Sequence, residues 1–152
     1  MTRSRSAGTV LAAAASLTLA ACGGDDDTGP SKAEFIQRAD AICARSDREA
    51  GAIARRSFQN PRKPRPREAQ AAIREAVPRV RRSLEELRAL ERPDGDERAI
   101  DEYLAAVAKG LTTLETVAED PRLSLETLRA GDATFREANE LARRYGMKDC
   151  AS

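Results

Sequence analysis

The 152-residue chain has no histidine and no tryptophan, and aromatic residues make up only 3% of it. Without histidine, the Ser-His-Asp and Cys-His arrangements for nucleophilic catalysis, the two-histidine zinc helix and every imidazole acid–base mechanism are excluded. An excess of one charge is missing as well. Lys and Arg number 26 against 25 Asp and Glu, for a net charge of +1, so no broad basic field points to nucleic acid.

Carboxylates are then the only side chains suited to acid–base work. The pairs Glu85-Glu86, Asp94-Asp96 and Asp101-Glu102 are close in sequence, but neighbouring positions point in different directions on a helix. A di-iron carboxylate bundle would also need Glu-x-x-His motifs, which a chain without histidine cannot supply. No catalytic residue, metal site or cofactor is expected, and the chain reads as a non-enzyme.

What the sequence does contain begins with Arg3 and Arg5, followed by an apolar, alanine-rich run over residues 7–21. The run falls short of the roughly 20 predominantly apolar residues that a spanning helix needs, and charge follows it at once, so residues 1–21 read as a cleaved export signal. Leu19-Ala20-Ala21-Cys22 resembles the bacterial lipobox. That match implies a diacylglyceryl group on Cys22 and cleavage before it, giving a lipid-anchored protein on the extracytoplasmic face of the cell membrane. An ordinary secretory signal would instead leave Cys22 as an exposed free thiol, which is unusual after export. Two acyl chains give stable anchoring where one is marginal. Residues 23–30 (GGDDDTGP) have no apolar period and read, with Cys22, as a flexible acidic spacer. Loss of Arg3 and Arg5 leaves 24 bases against 25 acids, so the mature domain is not a basic membrane binder.

With Cys22 assigned to lipid, Cys43 and Cys150 remain as an even pair in a compartment that permits disulfides. The reading is a Cys43–Cys150 bridge across 107 residues of sequence, for which loop-closure entropy allows close to 5 kcal/mol. A redox pair or a two-thiolate metal site is the alternative, but there is no CxxC spacing to support it.

Residues 31–152 form one domain of about 120 residues, enough for a single modest core. Ser31 and Glu34 have the spacing of a capping box. From there Phe35, Ala39, Ile42, Ser46, Ala50 and Ile53 recur every three or four residues and predict a first helix to about residue 58. Residues 60–66 (NPRKPRP) interrupt it. Here Arg62, Lys63, Arg65 and Arg67 are candidates for contact with an anionic cell-wall polymer or headgroup, against the plainer reading of a solvated linker. A second helix is expected over 67–92, with a kink or short break at Pro78. Asp94 and Glu97 predict the cap of a third helix carrying Ile100, Leu104, Val107, Leu111 and Leu114. A fourth helix should start between Pro121 and Ser124, with Gly131-Asp132 as a weak point that leaves two shorter helices open, and Gly146 suits a left-handed C-terminal cap with Met147 as its hydrophobic contact.

Four amphipathic segments joined by short turns imply an all-α fold, an antiparallel up-down-up-down four-helix bundle stapled by one disulfide. No strand pattern competes. Glu75-Arg79 and Glu140-Arg144 have the spacing of favourable helix pairs, while Arg55-Arg56, Arg79, Arg81-Arg82 and Arg143-Arg144 would form an anion patch only if their helices bring them together.

The opening residues 35–43 (FIQRADAIC) and the ending residues 145–150 (YGMKDC) are similar to the two ends of a group of small actinobacterial lipoproteins with no assigned activity. The resemblance implies a lipid-anchored helical domain with a terminal disulfide and assigns no role to other residues. The functional expectation is a membrane-anchored binding or structural module at the cell envelope, meeting an envelope protein or cell-wall polymer and no nucleic acid. The alternative is a small-ligand carrier that uses a cavity between the helices.

Overall fold

The computed structural model describes residues 29–152. The export signal, the lipobox and Cys22 lie outside the described residues. Those described are helical, with no strand among them: α1 (Lys32–Ser57), α2 (Pro66–Arg88), α3 (Glu97–Val117), α4 (Pro121–Ala130) and α5 (Arg136–Tyr145), with short 3₁₀ turns at Gly131–Thr134 and Asp149–Ala151.

The start of α1 follows from the capping box. The Glu34 amide donates to Ser31 Oγ at 3.3 Å, and the Ser31 amide donates to Glu34 Oε2 at 2.8 Å, so two amides that the first turn would leave open are satisfied. The apolar stripe then buries Phe35, Ala39, Ile42 and Ile53. Ser46 and Ala50, on the same stripe, are not buried.

Helix α2 runs unbroken through Pro78. Of the two outcomes expected at Pro78, a kink or a short break, the break does not occur, and the proline itself is exposed. The helix stops at Arg88, four residues before the expected end. Pro93 disfavours helical geometry at the residue before it, and the chain leaves the helix through Ala89, whose amide closes on Glu85 O at 3.0 Å.

The cap of α3 is also displaced from its expected position. Asp96, not Asp94, is the N-cap residue, and neither carboxylate caps the helix in the expected way: Glu97 reaches back to the Gly95 amide at 3.2 Å, with Gly95 at φ 82°. Asp96 is engaged elsewhere, accepting from the Tyr145 hydroxyl at 2.7 Å.

The expected fourth helix is two helices. Asp120 caps α4, accepting from the Arg122 amide at 2.7 Å, and α4 ends where Gly131 adopts φ 58°, a conformation that glycine takes without steric cost. After the 3₁₀ turn the chain resumes as α5. Gly146, at φ 104°, closes that helix with its amide on Ala142 O, and Met147 is buried to 1% exposure beneath it, as the capping motif requires.

Packing order is α1 on α2, α2 on α3 and α3 on α5, with α4 lying against α2 and α3. The arrangement is compatible with an antiparallel bundle whose fourth position is shared between two short helices. Closure back to α1 is made chiefly by the turn after α5. Cys43 and Cys150 form the disulfide, with Cα atoms 5.1 Å apart, and the Asp40 carboxylate accepts the amides of Lys148 at 3.0 Å, Asp149 at 3.0 Å and Cys150 at 3.3 Å. At the same pole Phe35 meets the edge of Tyr145 with ring centroids 5.9 Å apart, and the Lys32 ammonium sits 4.0 Å from the Tyr145 ring centre.

The main core joins Phe35, Ile42, Leu84, Leu87, Ile100 and Leu104, while Ile73, Leu114 and Ala118 form a smaller cluster toward the other pole. Phe135 packs against both and lies on the backbone of α3 at Gly110. A Cβ at Gly110 would fall inside contact distance of Phe135 Cε1 and Cδ1. Gly110→Ala is therefore expected to destabilise the fold by about 1–3 kcal/mol, an overpacking penalty, and Phe135→Leu in the same chain should recover most of the loss. Thermal denaturation of the two single variants and the double variant checks this; additive losses would contradict the contact.

Candidate functional site

Two features stand out from the helical scaffold: a basic pole and a cleft. The pole is formed by the end of α1, the connection of residues 58–65, the start of α2, the end of α3 and α4. Gln70 Nε2 and Arg74 Nε both donate to Ala118 O, at 3.0 and 2.9 Å, so the start of α2 caps the open carbonyls at the end of α3. Helix α4 then crosses this pole. Its first residues share a surface hollow with Arg65 and Arg67, and its last share another with Arg62 and Lys63.

Arg62, Lys63, Arg65 and Arg67 are all exposed. The connection is turned by Asn60, whose side chain accepts the Arg62 amide at 3.0 Å. Arg122 and Arg129, on α4, join the four at this pole. Among the described residues none of these six basic side chains makes an ion pair. Sequence reasoning missed Arg122 and Arg129, because only the crossing of α4 brings them to the residue 60–67 segment. Among the described residues the exposed large apolar side chains are Leu123 and Leu128, at 42% and 38% exposure, both on α4.

The other arginines do not gather into one patch. Arg56 pairs with Glu75, Arg79 lies 3.2 Å from Glu75 and 3.5 Å from Glu49, and Arg81 lies 2.5 Å from Glu115. The Arg56 guanidinium holds the Glu75 carboxyl below its ordinary range. The expected Glu140–Arg144 pair is not formed. Instead Glu137 reaches Lys109 across the helices at 2.8 Å. Of the acidic pairs, Glu86 meets Arg45, Asp101 meets Arg92, and Glu102 meets Arg98. Among the described residues no three Cys, Asp or Glu side chains converge on a metal-binding geometry.

The cleft, about 260 Å³ in volume, opens between α1, α2, α3 and α5 beside the disulfide. Its walls include Val80, Leu87, Val107 and Phe135, and Cys43 and Cys150 both face it. Tyr103 reaches it from α3 and is only 3% exposed. The Tyr103 hydroxyl donates to Cys43 Sγ at 3.7 Å, a weak acceptor. Asp47 and Asp149 line the cleft, and no Lys or Arg does. The lining is assembled from four helices and a turn, and the readable signal for it was the pair of small residues, Ser46 and Ala50, within the α1 stripe.

Both tyrosines hold their protons more firmly than a free phenol. Burial comes first for each; the carboxylates of Asp40 and Asp47 reinforce it at Tyr103, and the hydrogen bond to Asp96 reinforces it at Tyr145. Compared with family models, curated proteins and solved structures, the chain finds no match.

The phenols set the alkaline limit of stability. Below pH about 10 they are neutral whether the chain is folded or unfolded. Above it the unfolded chain releases protons that the folded chain retains, so stability falls as pH rises. In an alkaline titration, phenolate absorbance is expected to appear together with loss of helical circular dichroism. Phenolate formed at the ordinary phenol pH with the helices intact would contradict the assigned environments.

Proposed function

We propose that this chain is a lipoprotein, anchored through a diacylglyceryl group on Cys22 to the extracytoplasmic face of the cell membrane, and that it serves as a non-enzymatic binding module of the cell envelope. Its partner is an anionic cell-wall polymer. The observation that carries this reading is the placement of charge. Six basic side chains that make no ion pair among the described residues lie at the pole holding the end of α1, while the segment read as the spacer joins the chain at the start of α1. The helix between, 26 residues long, separates the two by about 39 Å at 1.5 Å per residue. The basic end is therefore free of the tether. Exposed bases with no ion pair to break keep their charge available in water and attract polyanions over a Debye length of about 8 Å at physiological salt.

A second reading, a carrier of a small ligand, draws support from the 260 Å³ cleft; concave, mostly apolar sites with a few polar groups are where such ligands bind.

The anchor is checked by intact mass of protein from its native membrane, which should correspond to a chain starting at Cys22 with a diacylglyceryl group. The binding role is checked by titrating the mature chain with inorganic polyphosphate and with purified wall polymer. Simultaneous Arg62→Gln, Lys63→Gln, Arg65→Gln and Arg67→Gln substitutions are expected to weaken binding about tenfold or more and to flatten its salt dependence, with the melting temperature little changed because all four side chains are exposed. Equal affinity of the variant and the parent would overturn the reading.

A further inference from the structure

We propose that the cleft between α1, α2, α3 and α5 binds a small organic cation, a primary ammonium group carried on an apolar body about the size of one aromatic ring and a short chain. This rests on the carrier reading and adds the chemistry of the ligand.

Size comes first. A closed cavity of roughly 150 Å³ accepts a benzene ring, so the 260 Å³ available here holds a ring with two or three further heavy atoms. The ring has apolar walls to meet in Val80, Leu87 and Val107, and an aromatic face in Phe135.

The sign of the head group follows from counting which hydrogen-bonding capacities are already used. Tyr103 spends its proton on Cys43 Sγ, which leaves the oxygen lone pairs as acceptors. Asp47 Oδ2 accepts from Ser152 Oγ at 2.9 Å, and its other oxygen accepts nothing. Asn139 donates through Nδ2 to Ser152 O at 3.0 Å, leaving its side-chain carbonyl open. Asp149 gives its backbone amide to Asp40, and its carboxylate accepts no bond. Among the described residues of the lining the open positions are thus acceptors on four residues, two of them carboxylates; against them stand as donors the hydroxyls of Ser46 and Ser83 and the second hydrogen of Asn139 Nδ2, none of them charged. An anion would meet repulsion and few donors; an ammonium, with three donors and a positive charge, meets acceptors on several sides. The aromatic rings of Tyr103 and Phe135 add faces that attract a cation.

Tyr103 is also the group that asks for a ligand. Its proton goes to a disulfide sulfur, a weak acceptor, and the oxygen that lines the cleft keeps its lone pairs for a donor brought by a ligand.

The test uses the full mature chain and three probes of matched shape: phenethylamine, 2-phenylethanol and phenylacetate. Binding is followed by NMR shifts of residues lining the cleft, including Tyr103, Val107 and Asn139. The expected result is that phenethylamine binds in the cleft about tenfold more tightly than 2-phenylethanol, the gain typical of a charge-assisted hydrogen bond, with phenylacetate weaker than both. Asp47→Asn should cut the preference for the amine about fivefold or more while leaving 2-phenylethanol binding unchanged. Asp149→Asn, at a side chain that holds no part of the fold, should lower it in the same direction. If none of the three binds in the cleft, the carrier reading and this inference both fail. If the alcohol or the acid binds there as tightly as the amine, the carrier reading stands and this inference is overturned. Amine binding that shifts only residues outside the cleft, or a preference that survives both asparagine variants, also overturns it.

Discussion

The fold depends on how the end of the chain is held against its first helix. Three consecutive backbone amides, those of Lys148, Asp149 and Cys150, point at the one carboxylate of Asp40, and one turn further along α1 Cys43 holds Cys150 covalently. Each interaction supports the other: the carboxylate orients the turn so that the sulfurs meet, and the bridge keeps the amides from exchanging the carboxylate for water. Hydrogen bonds to a charged acceptor are the stronger kind. Without this closure α5 would pack on α3 alone, because its approach to α1 is made chiefly through the turn. The need is real in a domain with 3% aromatic residues, whose buried side chains include many alanines and so contribute little apolar area each.

Closure also builds the cleft. Cys43, Tyr103, Asp149 and Cys150 belong to both the staple and the cleft lining, so the device that holds the chain end also sets the wall of the cavity and the orientation of its acceptors. At the other pole the construction differs. There the short helix α4 lies against α2 and α3, the carbonyl of Ala118 is capped by Gln70 and Arg74, and basic side chains stay in water. The molecule thus has one pole where the chain end is stapled to α1, and another that is basic and open.

Much of the first pole was legible in the sequence. Ser31 and Glu34 cap α1, Gly146 and Met147 close α5, and Cys43 joins Cys150, because caps, and the pairing of the two cysteines left once Cys22 is set aside, are local or combinatorial facts that need no tertiary knowledge. Legibility failed where a residue's role is set by a distant partner. Asp96 stands at the cap position of α3, but its carboxylate is taken by the Tyr145 hydroxyl 49 positions away. The weak point at Gly131, where the fourth apolar segment divides, was readable, but the seating of Phe135 on Gly110, a contact across 25 positions of sequence, was not. Asp40 looked like any acid on a polar face, since nothing local shows that three amides more than a hundred residues away converge on it. The basic segment of residues 60–67 was visible as composition, but its extension by Arg122 and Arg129 is a product of the crossing of α4.

The most direct measurement of the central claim is hydrogen exchange of the mature chain before and after reduction of Cys43–Cys150. The account predicts that reduction accelerates exchange most at the amides of Lys148, Asp149 and Cys150 and along α5, while the interior amides of α1, α2 and α3 remain protected. Unchanged protection at the chain end after reduction, or loss of protection spread evenly over all the helices, would contradict it.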